Sequence, residues 1–152
     1  METAIIETTL SKVALKKPKI KLDFKESKYA TGRRKKSIAK IWVKKGTGKI
    51  YVNGRTMDDY FTSGSHKMQI TRPFEIINQA TDYDVRCSVA GGGHTGQAGA
   101  MVHGIAKALI LFDADNRAIL KTEKLNTRDS RSVERKKPGR RKARRSFQFS
   151  KR

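Results

Sequence analysis

Residues 83–112 read YDVRCSVAGGGHTGQAGAMVHGIAKALILF, and the two ends of this stretch follow different periods. Tyr83-Asp84-Val85-Arg86-Cys87-Ser88-Val89 alternates at period two, the pattern of a strand with one buried face. After the small-residue run 91–100, Met101, Ile105, Ala108 and Phe112 recur at spacings of four, three and four, which is one stripe of an apolar helix. Ala98, Ala100, Gly104 and Ala106 keep that helix thin enough to lie close against a sheet. A strand, a glycine turn and a thin apolar helix imply helices layered on a sheet.

Upstream, residues 37–44 (SIAKIWVK) predict a strand with Ala39, Ile41 and Val43 on one face. Lys40, Trp42 and Lys44 share the other face. Gly46-Thr47-Gly48 supplies a turn, residues 49–52 return as a second strand, and Asn53-Gly54 signals a tight turn because both residues tolerate positive φ. A short helix is expected over 57–61. Pro73, read as a first helical position, predicts another from there to about Ala80. A last helix over 114–125 has Ala118, Ile119 and Leu125 to bury. The fold class expected is α+β, a two-layer sandwich of one mostly antiparallel, mixed sheet with helices packed on it, plus an extended basic C-terminal tail. Three regions follow: an N-terminal extension over 1–27, with Pro18 and no sustained period, expected to be flexible; a globular domain over 28–126; and the tail over 127–152.

Charge narrows the function. The chain has 152 residues and a net charge of +21. Its last 25 residues, RDSRSVERKKPGRRKARRSFQFSKR, hold 12 Lys or Arg against 2 acids, 12 − 2 = +10, so the remaining 127 residues still carry +11. Val133, Ala143, Phe147 and Phe149 are too few apolar residues to offset the entropy of ordering such a segment, which therefore needs a polyanion to hold it. Arg outnumbers Lys there by 8 to 4, and Arg forks phosphate and stacks on bases. Pro138-Gly139 favours an extended path, and Phe147 and Phe149 offer rings to unpaired bases. Structured RNA, with crevices to fill, suits this better than regular duplex DNA.

The second basic block is residues 28–36, KYATGRRKK, where Gly32 allows a bend before Arg33, Arg34, Lys35 and Lys36. A lone charge run is usually a solvated face, but this one leads into a lysine-bearing strand in a chain with a second basic block. Phosphate contacts are expected from it, with Thr31 and Ser37 as further donors.

Enzyme readings fare poorly. Gly91, Gly93 and Gly96 fit G-x-G-x-x-G, yet Asp113 and Asp115 fall at the end of the helix that follows the loop, not on a second strand. Gln97 and Ala98 stand where a phosphate loop needs Lys and a hydroxyl. The loop is better read as a place where backbone approaches closely, either packed backbone or RNA phosphate. His66, His94 and His103 lack metal-ligand spacing, Cys87 is a lone cysteine with no base aimed at it, and Glu75, Asp82 and Asp84 read as surface acids or partners of nearby cations. No cofactor, metal, membrane or small-molecule substrate is expected. No apolar run approaches the ~18–20 residues of a spanning helix. The N-terminus lacks the charge pattern of a secretory signal or a mitochondrial presequence, and the cytoplasm is the simplest expectation.

Seven segments together carry a family resemblance: residues 29–35 (YATGRRK), 50–55 (IYVNGR), 91–97 (GGGHTGQ), 103–109 (HGIAKAL), 127–129 (TRD), 134–137 (ERKK) and 148–152 (QFSKR). Across about 29–152 the chain resembles the family of the ninth protein of the small ribosomal subunit, in its bacterial form. The resemblance implies a non-catalytic constituent of the cytoplasmic ribosome, bound to folded ribosomal RNA of the subunit head beside neighbouring head proteins. It also implies a tail that threads through RNA and ends near the anticodon stem-loop of P-site tRNA. The expected ribosomal RNA contacts are Arg33, Arg34, Lys35 and Lys36, with Arg128, Arg131, Arg135, Lys136, Lys137, Arg140, Arg141, Lys142, Arg144 and Arg145 in the tail. The expected tRNA contacts are Ser150, Lys151 and Arg152. Ala30 stands where the family usually has Gly and is expected to tighten the opening turn, and the 27-residue extension has no counterpart in the shortest members. From charge alone, a free-standing RNA chaperone would be the rival class.

Overall fold

The computed structural model describes residues 24–79 and 81–151, so most of the N-terminal extension, Ala80 and Arg152 lie outside the described residues. The strands are β1 (Lys28–Arg34), β2 (Ser37–Lys45), β3 (Ile50–Val52), β4 (Arg55–Thr56) and β5 (Tyr83–Ala90). The helices are α1 (Met57–Tyr60), α2 (Gly64–Ile76), α3 (His94–Phe112) and α4 (Asn116–Thr122). One five-stranded sheet runs in the order β1-β2-β5-β3-β4, antiparallel except for the β3–β5 pair. That is the α+β, mixed-sheet sandwich the periodicities predict. Parallel β3 and β5 require a crossover, and α1 and α2 supply it.

Turn chemistry sets the register. Asn53 and Gly54 both have positive φ (51° and 79°), the backbone of the tightest hairpin turn, and they join β3 to β4. The β2–β3 loop is held by Asp84, whose Oδ1 accepts the backbone N–H of Thr47 (2.9 Å) and of Lys49 (3.0 Å) and the Thr47 hydroxyl. Burial opposes ionisation of Asp84, but these donors outweigh it and hold the carboxyl below its ordinary range. Asp84 thus binds backbone amides rather than serving only as a surface acid.

Several expectations need correction. Residues 28–34, read as a charged run bending at Gly32, form edge strand β1, with Lys35 (φ 50°) and Lys36 making the turn to β2. Gly32 is there for proximity: a Cβ on it would lie 1.9 Å from the Ala100 carbonyl oxygen and 2.5 Å from the Gly104 nitrogen, both in α3. Ala30 tightens no turn and faces the core, 6% exposed. Pro73 lies inside α2, which begins at Gly64 behind the cap position Ser63 and ends at Ile76. Interior proline costs ~3 kcal/mol in lost bonding and ring clash. Here Ile70, Pro73 and Phe74 form a buried i, i+3, i+4 stripe that offsets that cost.

The glycine loop is also shorter than expected, because α3 begins at His94 and takes in the small residues up to Ala100. In α4, which covers only Asn116–Thr122, Ala118 and Ile119 are exposed and Leu120 is the buried anchor. One-residue phase errors of this kind are expected in a seven-residue helix with little periodic signal.

The core sits between α3 and the sheet. Ala39, Ile41 and Val43 of β2, Val85 of β5, and Met101, Ile105, Ala108 and Leu109 of α3 are fully buried, each large side chain contributing roughly 1.5–3 kcal/mol. Helix α3 also reaches over the edge of β1. The His103 Nδ1 accepts the Arg33 backbone N–H (3.3 Å), and the Lys107 ammonium donates to the Thr31 carbonyl (3.2 Å).

Candidate nucleic-acid interface

Both basic blocks lie at the surface. Arg33, Lys35 and Lys36 are exposed at the β1–β2 tip, and Arg34 is half-buried. From Arg128 onward the described tail has no helix or strand, and its cations, Arg131, Arg135, Lys136, Lys137, Arg140, Arg141, Lys142, Arg144 and Arg145 among them, are exposed. Ser150 and Lys151 are exposed beyond them, whereas Arg152 lies outside the described residues.

The tail has local order of its own. Arg144 and Lys137 both reach the Glu134 carboxylate (2.9 and 3.3 Å), and Gly139, with φ 70°, turns the chain between them. The Arg141 guanidinium sits 5.4 Å from the Phe147 ring centroid, and Phe149 is wholly exposed. Extended arginines beside uncovered rings are the chemistry that forks phosphate and stacks on unpaired bases.

The tail meets the body at its root, where Asp129 faces Arg34 of β1. Asp129 accepts Arg131 through its backbone N–H (3.0 Å) and its guanidinium (2.9 Å), and pairs with Arg34 of β1 at 3.1 Å. The Arg131 hydrogen bonds, with Arg34 adding its charge, hold the Asp129 carboxyl well below the usual carboxylate range. Arg33, Arg34, Arg128 and Arg131 therefore line one cleft of about 410 Å³ between β1, α2, α3 and the root of the tail. Arg72 of α2 and Lys124, just past α4, line it too, and nothing in their sequence neighbourhoods marks them. Their signal is tertiary only.

His103 stands in the same cleft. Burial is the main cause that lowers its pKa, and the nearby Lys107 and Arg128 charges act the same way against a hydrogen bond to the Asn126 backbone. Its Nδ1 accepts from Arg33, so the ring is a neutral imidazole tying β1 to the start of the tail.

The face of the sheet that no described helix covers offers a second basic surface. Tyr29, Trp42, Arg86 and Tyr51 align in one row across β1, β2, β5 and β3. The Tyr29 and Trp42 rings lie 5.3 Å apart, and the Arg86 guanidinium is 5.5 Å from the Trp42 centroid. Lys40 is exposed beside them, and Lys44 sits 5.0 Å from the Phe24 ring.

Other candidates resolve into packing. The glycine loop is packed along part of its length: a Cβ on Gly91, Gly92 or Gly96 would meet Lys36 or Ser37. The Ser37 hydroxyl, 1% exposed, donates to the Gly91 carbonyl (3.1 Å), so Ser37 is no phosphate donor. Gln97 bridges the Gly91 carbonyl and the Tyr60 hydroxyl. His66 and His94 pack edge-on against Phe61. Burial pushes the Cys87 thiol far up, leaving it inert. Among the described residues no group of three His, Cys, Asp or Glu is placed to hold a metal, and no helix is long and apolar enough to cross a membrane.

The geometry agrees with what the chain is similar to. Residues 32–152 match the family described as ribosomal protein S9/S16. The small ribosomal subunit protein uS9 of Rickettsia felis is 52% identical over 143 residues, covering 94% of this chain and 89% of that protein. Those of Rickettsia canadensis and Rickettsia rickettsii are each 49% identical, covering all of this chain and 93% and 97% of theirs.

Proposed function

The chain belongs to the ribosomal protein S9/S16 family, and on that premise we propose that it binds folded RNA of the small-subunit head and reaches P-site tRNA with its tail. The family is structural rather than enzymatic, and the chain is a constituent of the small ribosomal subunit in the cytoplasm. The observation that carries the RNA reading is the tail: twelve cations, every described one exposed, on a segment that adds nothing to the buried core. Burial cannot hold such a segment, and RNA phosphate can. The cations of residues 128–145 serve as the phosphate-binding length. Ser150, Lys151 and Arg152 are the tRNA-facing tip. Neighbouring head proteins complete the surroundings.

Deleting residues 128–152 tests this directly, because among the described residues every core residue lies between Ala30 and Leu120. With about eight tail cations on phosphate, log K for small-subunit ribosomal RNA falls by roughly six to seven units per decade of salt from the tail alone, at ~0.7–0.9 per contact. The truncated chain keeps the circular dichroism of the body and loses most of that slope. An unchanged slope refutes the tail's role. Sedimentation separates the reading from a free-standing chaperone: the full chain runs with the small subunit and leaves it only at high salt or on RNA digestion.

A further inference from the structure

We propose that the cleft at the root of the tail is a dedicated binding site for a phosphate-bearing nucleotide unit of RNA, completed by Arg72 and Lys124 and organised by Gly99 and Asp129. The inference rests on the RNA-binding reading above and adds to it a location and a set of residues. Six cations from four separate parts of the chain converge there: Arg33 and Arg34 from β1, Arg72 from α2, Lys124 past α4, and Arg128 and Arg131 from the tail. The acids paired with them are Asp129 and Glu123, which leaves 6 − 2 = +4 around one cavity. A volume of about 410 Å³ falls within the ~300–1,000 Å³ of sites that enclose a small ligand, so it suits a nucleotide unit better than a lone ion.

Two features make this a built site rather than a crowd of surface charges. Gly99 leaves a shelf on α3 on which the stem of Arg34 lies; a Cβ there would meet the Arg34 Cδ at 2.3 Å and its Nη1 at 3.0 Å. Asp129 then grips Arg34 and Arg131 together, fixing a body arginine and a tail arginine in one arrangement. Each guanidinium has five donors and the shared carboxylate occupies only some of them, so donors remain for an incoming phosphate. Holding the cations in place beforehand removes rotamer entropy from the cost of binding. The apolar floor from Val102 and Leu125 gives a sugar or base something to rest on.

The test uses the full chain, a short oligouridylate as probe, and amide NMR of Gly99, Val102 and His103. Arg72→Ala with Lys124→Gly removes two cleft cations, glycine being chosen because Lys124 has φ 58°. Arg117→Ala with Lys121→Ala removes the same charge from α4 as a control. A nucleotide site predicts that the cleft pair lowers the salt slope by roughly 1.4–1.8 and abolishes the amide shifts, while the control pair leaves the shifts intact. Gly99→Ala, which displaces Arg34 without changing net charge, abolishes them as well. Equal losses from both pairs would mean a diffuse field and overturn the site. Shifts produced by polyglutamate but not by oligouridylate would assign the cleft to an acidic protein and overturn it too. Absence of salt-dependent binding by the unaltered chain to small-subunit RNA would instead sink the underlying RNA reading.

Discussion

Replacing Gly32 by Ala adds one methyl group where two backbones already touch. The new Cβ would sit 1.9 Å from the Ala100 carbonyl oxygen and 2.5 Å from the Gly104 nitrogen, against 3.4–4 Å for ordinary contact. Neither neighbour is the end of a flexible side chain, so α3 as a whole must retreat from β1. A radial gap of even 0.5–1 Å forfeits about a quarter to a half of each dispersion contact, and Ile41, Met101 and Ile105 lie fully buried on that seam. Overpacking usually costs ~1–3 kcal/mol and more when backbone must move; with backbone on both sides we place this case at ~3 kcal/mol or above. For an ordered body of about 100 residues that is a fall in Tm of roughly 12–24 °C, at ~4–8 °C per kcal/mol. Thermal and urea unfolding followed by circular dichroism read it directly. A Gly32→Ala chain melting within ~4 °C of the parent would refute the close-approach account of β1 and α3.

Gly99→Ala, in the same helix, has the opposite sign for stability. Its Cβ meets only the flexible Arg34 side chain, so the helix gains up to ~1 kcal/mol of propensity and Tm rises by a few degrees while RNA affinity falls. The same melts beside an RNA titration show both. For His103 the folded pKa is lowered below 6.5, so the unfolded chain binds the proton more readily. Stability is complete above about pH 6.5 and is lost as pH falls below it. Urea midpoints drop as pH falls below about 6.5, and His103→Gln blunts the drop; an equal drop in the variant contradicts the assignment. Replacing Lys151 and Arg152 by Ala leaves ten of the twelve tail cations. Incorporation into subunits stays near normal and retention of P-site tRNA weakens; collapse of assembly with tRNA retention intact would be the contrary result.

The parts of this fold legible in the sequence are those where one strong period acts alone. β2 and β5 alternate cleanly, and the Asn53-Gly54 turn has chemistry that permits little else. Edge strand β1 was hidden because its alternation runs through Ala30, Gly32 and Arg34, residues with no hydrophobic signal, and its inward glycine acquires meaning only when α3 lies on it. Pro73 reads locally as a start, and only Ile70, one turn earlier, hints that the helix precedes it. At the interface, the tail cations and Arg33 to Lys36 are visible as blocks. Arg72, Lys124, Gly99 and the clamp by Asp129 depend on four chain segments meeting, which no local pattern encodes.

The meeting of α3 with β1 also has a consequence for the protein before it finds RNA. An open sheet presents two rows of unpaired backbone groups, a template on which another copy can add a strand and start a fibre. Here one margin is partly taken up from within, by His103 on the Arg33 amide and Lys107 on the Thr31 carbonyl. The other margin, β4, is two residues long. Between them lies a sheet that has nowhere convenient to grow. Mutual repulsion between chains of +21 charge opposes edge-to-edge pairing in the same direction.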